Sequence, residues 1–194
     1  NRQISATFTP LFTTGDYHAL LIAVEDYQLS SIYDLTQPIK DATRIRNILE
    51  SEYTFNSKNV TLLSNPDRRQ IINALDRLSK QVDESDNVLI FYAGHGDWDE
   101  QFQQGYWLPS DADKTGKSGW ISNGTVRDYI RGIKSKNTLL VSDACFAGGI
   151  LDVRSAITDA PVATQELYEL PARRAMTSGT LTEVPDRSVF LDYL

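Results

Sequence analysis

The chain has one cysteine, Cys145, and only two histidines, His18 and His95, in 194 residues. A single cysteine excludes an internal disulfide and fits a reducing compartment, so a cytoplasmic location is expected. No apolar run reaches the roughly 18 residues that a membrane-spanning helix needs, and the N-terminus lacks a secretory signal pattern. Positive charge is also scarce: 19 Lys and Arg face 26 Asp and Glu, a formal net charge of −7. With no basic stripe to hold phosphates, nucleic acid is excluded as a partner, as is the membrane.

What is present suits a globular fold, with 41% apolar and 23% charged residues. The length favours a single domain over residues 1–194. The chain begins without Met and stops inside a helix-like stretch, Ser188–Leu194. It is therefore expected to be part of a longer multidomain chain, or to meet a regulatory partner.

Residues 1–16 read as a polar lead-in arm. His18–Val24 is a continuous apolar run, the mark of a strand buried on both faces. A helix over 38–50 follows, with Pro at its start and Ile39, Ala42, Ile45, Ile48 and Leu49 on one face. Strands are expected at 59–63, 88–92 and 138–141, with a short fifth at 175–177. Asn65-Pro66 opens a second helix striped by Ile71, Ile72, Leu75 and Leu78, and a third covers 123–132. Strand and helix alternate, which predicts an α/β fold: a mostly parallel sheet of about six strands between two helical layers. Two long segments show no clear periodicity, 97–119 and 152–174. Loops of that length in a compact domain are usually functional or cleavable.

In such a sheet, ligands bind beyond the carboxyl ends of the strands. Two apolar runs end there in glycine-rich turns: Asn87-Val-Leu-Ile-Phe-Tyr-Ala-Gly-His-Gly96 and Thr138-Leu-Leu-Val-Ser-Asp-Ala-Cys-Phe-Ala-Gly-Gly149. They bring a thiol and an imidazole to one edge. A cysteine nucleophile needs thiolate, which a nearby histidine supplies before protonating the leaving group. Backbone N–H groups in these turns, those of Gly96 and Cys145, can stabilise the oxyanion that forms. His18 begins a strand without a glycine-rich turn and reads as structural.

Tyr92-Ala-Gly-His-Gly96 and Ser142-Asp-Ala-Cys-Phe-Ala-Gly-Gly149 resemble the His and Cys motifs of the caspase-like peptidases, the caspase and metacaspase clan. The fifty-residue gap from His95 to Cys145 is itself a feature of that family. Ala19-Leu-Leu-Ile-Ala-Val-Glu-Asp-Tyr27 is similar to its first strand, and Lys40-Asp-Ala-Thr-Arg44 to its first helix. Met176-Thr-Ser-Gly179 is similar to its small-subunit part, which puts Ser178 among the substrate-binding residues. The resemblance implies a three-layer α/β/α caspase-hemoglobinase-like fold. It also implies a cysteine endopeptidase acting on protein or peptide substrates in regulated proteolysis, cell death or defence. The alternative is a caspase-like scaffold or sensor module that docks a partner without catalysis.

Position 143 holds Asp where Asp-cleaving caspases carry Gln. Metacaspases also have Asp there, with a second acidic residue in the first helix that Asp41 matches. The resemblance therefore implies a pocket lined by Asp143 and Asp41, and two carboxylates favour Arg or Lys before the cut. Many metacaspases depend on calcium held by Asp residues after the His motif. Asp97, Asp99, Glu100, Asp111 and Asp113 are available here, but their spacing is not that of an EF-hand and the family's denser acidic stretch is missing. Calcium is thus left without support, and neither a cofactor nor a metal ligand is assigned. Segment 152–174 occupies the place of a processing linker, with Arg154, Arg173 and Arg174 as candidate cut sites.

Overall fold

The computed structural model describes residues 15–144 and 172–178. The remaining residues, including the lead-in arm, Cys145 and most of the expected linker, lie outside the described part.

A central sheet has strand order β2-β1-β3-β7-β8, with every neighbouring pair parallel. Its strands are β1 (Tyr17–Ala23), β2 (Val60–Ser64), β3 (Asn87–Ala93), β7 (Asn137–Asp143) and β8 (Ala172–Thr177). Helix α1 (Pro38–Glu52) covers one face, and α2 (Arg68–Gln81) and α3 (Asn123–Gly132) cover the other. The apolar runs read from the sequence are buried on both sides because alternate side chains serve different cores. On the α1 side, Ala19, Leu21, Ala23, Phe91 and Val141 pack with Ala42 and Leu49. On the other, Leu20, Ile22, Ile90, Tyr92 and Leu140 pack with Ile71, Leu75 and Ile130. Each fully buried Leu or Ile contributes on the order of 1.5–3 kcal/mol.

The helices start by different means. Asp67 caps α2 in a reciprocal box: its carboxylate accepts from Gln70 N–H at 2.7 Å, and Gln70 Oε1 accepts from Asp67 N–H at 2.8 Å. The start thus falls at Asp67 instead of at Asn65-Pro66. Asn65 instead sits at φ +49°, where its side chain accepts from the Glu25 and Asp26 N–H groups and ties the end of β2 to the loop after β1. Helix α1 has no side-chain cap of its own; Glu25 reaches over to accept from Ile39 N–H at 2.9 Å. That borrowed carboxylate anchors the first turn of α1 beside the end of β1.

Segment 97–119 differs from its reading as a loop. It holds most of a small antiparallel sheet built from β4 (Gly96–Asp99), β5 (Gln104–Trp107) and β6 (Ile121–Ser122). Four-residue strands are too short to show alternation, so periodicity missed them. The expected sheet of about six strands has five in its described part, with this second sheet separate from it.

Candidate active site

β3 ends at Ala93 and β7 at Asp143, and these two residues are partners in the parallel register. His95 and Cys145 each follow their strand end by two positions. Cys145 lies outside the described residues, so the site is built from His95 and from the strand that leads to the cysteine.

Gly94 makes the turn out of β3. A Cβ there would stand 2.9 Å from Tyr92 Oη and 3.2 Å from Val24 Cβ, so only glycine fits without displacing them. His95 is then held by backbone and ring together. Its N–H donates to Tyr27 Oη at 2.8 Å, and its carbonyl accepts from Tyr92 Oη at 2.7 Å and from Leu108 N–H at 3.0 Å. The imidazole lies 4.4 Å from the Tyr33 ring in an edge arrangement and 5.1 Å from the Tyr27 ring. Tyr92 also stacks on Trp107 at 4.2 Å, which fastens β5 to β3. Burial pushes the Tyr27 hydroxyl far above the ordinary tyrosine value, so it stays protonated.

One contact sets the chemistry of the ring. His95 Nε2 lies 2.9 Å from the Tyr33 carbonyl oxygen. A carbonyl only accepts, so this partner assigns the proton to Nε2 and leaves the lone pair on Nδ1. The imidazole is therefore oriented as a base through Nδ1, and the same carbonyl stabilises the cation once a proton arrives.

Asp143 is buried, and its Oδ1 has no hydrogen-bond partner among the described residues. Side chains alternate along β7, and Val141 belongs to the α1 core, so Asp143 faces the α1 side. Asp41 is in the first turn of α1, half-buried, at the same edge of the sheet. The fold thus brings both acidic positions to one side of one edge. Ser178 follows β8; its N–H donates to the Ser142 carbonyl at 3.1 Å, and its Oγ is buried without a partner among the described residues. Gly96 is the first residue of β4.

His18 sits at the start of β1, at the opposite edge, buried and 3.3 Å from Asp86. It cannot serve as the base. Among the other expected positions, Arg154 lies outside the described residues, while Arg173 and Arg174 lie within β8. Arg173 donates to the carbonyls of Ile130, Ile133, Ser135 and Ala172, at 2.7 to 3.2 Å. This guanidinium closes the C-terminal end of α3 and is no solvated linker residue, so residues 172–174 belong to β8 and not to the expected linker.

Sequence reasoning missed Tyr27 and Tyr33 as supports of His95. Tyr27 stands in the quoted first-strand motif, but a backbone carbonyl such as that of Tyr33 carries no sequence signature.

A parallel sheet between helices, with a histidine turn and the approach to a cysteine on adjacent strand ends, defines a caspase-like peptidase domain. The caspase domain family model matches residues 16–188, and the chain belongs to that family, whose members are cysteine peptidases. It is 29% identical over 170 residues to Metacaspase-1 of Eremothecium gossypii, covering 79% of this chain and 36% of that protein. The chain thus spans about a third of the length of this curated relative. The crystal structure of caspase-1 from Spodoptera frugiperda has a TM-score of 0.64 at 16% identity, over 93% of this chain and 68% of that one. A protein from Geobacter sulfurreducens has a TM-score of 0.55 at 19% identity, over 67% of this chain and 50% of that one. At these identities the two structures speak for the fold alone. No described helix is long and apolar enough to cross a membrane.

Proposed function

We propose that the chain is a cysteine endopeptidase in which Cys145 is the nucleophile and His95 the base, cutting after Arg or Lys. The observation that carries this reading is the His95 Nε2 contact to the Tyr33 carbonyl, in the turn after a strand whose neighbour leads toward Cys145.

The Cys145 thiol gives its proton to His95 Nδ1, and the thiolate attacks the scissile carbonyl carbon. The carbonyl oxygen takes the negative charge, facing the Gly96 and Cys145 N–H groups. As the tetrahedral intermediate collapses, the C–N bond breaks and the imidazolium gives its proton to the departing amine. Water, with its proton drawn to His95, then hydrolyses the thioester and releases a carboxylate product and the free thiol. Throughout, the Tyr33 carbonyl keeps the ring from turning and offsets the charge on the imidazolium.

For the residue before the cut, the buried Asp143 carboxylate is the main selector. A buried carboxylate with an unpartnered oxygen is costly, and an incoming guanidinium or ammonium satisfies both its charge and its hydrogen bond. Asp41 adds negative charge from α1, and Ser178 offers a hydroxyl from the β8 side.

Peptide reporters ending in Arg, Lys, Asp or Leu test this on wild type, Cys145→Ala and Asp143→Asn. Wild type cleaves the basic reporters, and Cys145→Ala cleaves none while keeping its fold. Asp143→Asn loses at least about thirtyfold in kcat/KM on basic reporters, equivalent to about 2 kcal/mol. Wild-type preference for a neutral or acidic residue overturns the pocket and leaves the dyad standing. Full activity in Cys145→Ala removes the mechanism, and no cleavage or thiol reactivity in wild type favours the scaffold reading.

A further inference from the structure

The five acidic residues that follow the His motif are not grouped to hold a cation together. Asp113 accepts from Thr115 N–H and Oγ1, which lowers its carboxyl below the usual range. Asp111 Oδ1 accepts from Arg68 N–H at 2.8 Å, at the start of α2. Asp99 Oδ1 accepts from the Gln101 and Phe102 N–H groups, at 2.9 and 3.1 Å. Only Asp97 and Glu100 are left outside these bonds, whereas calcium takes six to eight oxygens, roughly. Among the described residues no three His, Cys, Asp or Glu side chains converge on a metal position.

A different cation is already in place. Lys117 Nζ pairs with Asp99 Oδ2, and the Asp99 side chain is only 9% exposed. The same ammonium stands 5.3 Å from the centre of the Tyr106 ring, 5.8 Å from Trp120 and 5.9 Å from Phe102. Those rings come from β5, from the residue before β6 and from the β4–β5 turn. One charge thus meets every strand of the small sheet or its immediate neighbour. A buried carboxylate needs a partner, and a half-exposed ammonium beside aromatic faces gains modestly from such contacts. Trp120 is fixed in turn by Nε1 donating to the Asp113 carbonyl at 3.0 Å.

We propose that Lys117 is the built-in cation of this segment: it neutralises Asp99, clamps the β4–β5 hairpin to β6, and lets residues 96–122 fold without calcium. The inference is independent of the peptidase reading, because its readouts are structural. Trp98, Trp107 and Trp120 are the chain's three tryptophans and all lie in this segment, so tryptophan emission, excited selectively over tyrosine, reports on it alone.

The test is calorimetric titration of the chain with calcium chloride to about 1 mM, the weak end of protein calcium sites, with tryptophan emission followed alongside. No binding heat and no change in emission are expected. Lys117→Met, which keeps the apolar stem, shifts emission to the red and raises acrylamide quenching; Lys117→Arg restores both wild-type values. Calcium binding below 1 mM that alters wild-type emission overturns the proposal, as does a folded Lys117→Met with wild-type emission and quenching. Should Lys117→Met fail to fold, the wild-type titration decides on its own.

Discussion

At the scale of single residues, the site places groups where folding alone would not choose them. Asp143 Oδ1 is buried and has no partner among the described residues, a cost of about 1–3 kcal/mol. Asp143→Asn is therefore expected to leave the melting temperature unchanged or higher while it loses activity on basic reporters. A lower melting temperature would make the carboxylate structural. Tyr27 gives a second residue-scale expectation, through pH. Its folded pKa lies above the ordinary 10.0, chiefly through burial, so the unfolded chain ionises first as pH rises. The neutral hydroxyl's contribution is complete below pH 10 and declines from there toward the folded value. Between pH 9.5 and 11, melting curves of wild type should lose stability faster than Tyr27→Phe, by up to about 1.4 kcal/mol per pH unit. Equal slopes would place the Tyr27 hydroxyl in solvent.

At the scale of elements, the three long helices and the buried strands were legible, because their periodicity or apolar continuity extends over enough residues to be read. The start of α2 was read two residues early, since Asn65-Pro66 resembles a helix opening while Asn65 serves the loop after β1 and Asp67 is the cap. The small sheet was not legible: its strands are short and its order depends on Lys117, Asp99 and Trp120 meeting across the chain. Arg173 shows the same limit. In sequence it is a basic residue near a linker; in the fold it holds carbonyls at the end of α3 and so joins β8 to that helix. Arg173→Ala is expected to cost about 1–3 kcal/mol in denaturant unfolding, because it orphans several carbonyls at once. Arg173→Lys should recover little of that loss, since one ammonium cannot span the fork of acceptors. Full stability in Arg173→Ala would return this residue to the surface.

At the scale of the whole molecule, the parallel sheet sets side by side the two strands that lead to His95 and toward Cys145. Strand ends of β3 and β7 are adjacent and in register, with His95 two positions beyond the first and Cys145 two positions beyond the second in sequence. The adjacency of the two strand ends was readable from the alternation of strand and helix; the carbonyl that fixes the tautomer of His95 was not. The sharpest check uses the chain's single thiol. The rate of iodoacetamide labelling of Cys145 is measured from pH 5 to 9 in wild type and in His95→Ala. If His95 draws the proton from the thiol, wild type labels rapidly well below pH 8.5, the ordinary thiol pKa, and His95→Ala follows that ordinary value. Identical pH–rate curves in the two proteins would contradict the dyad.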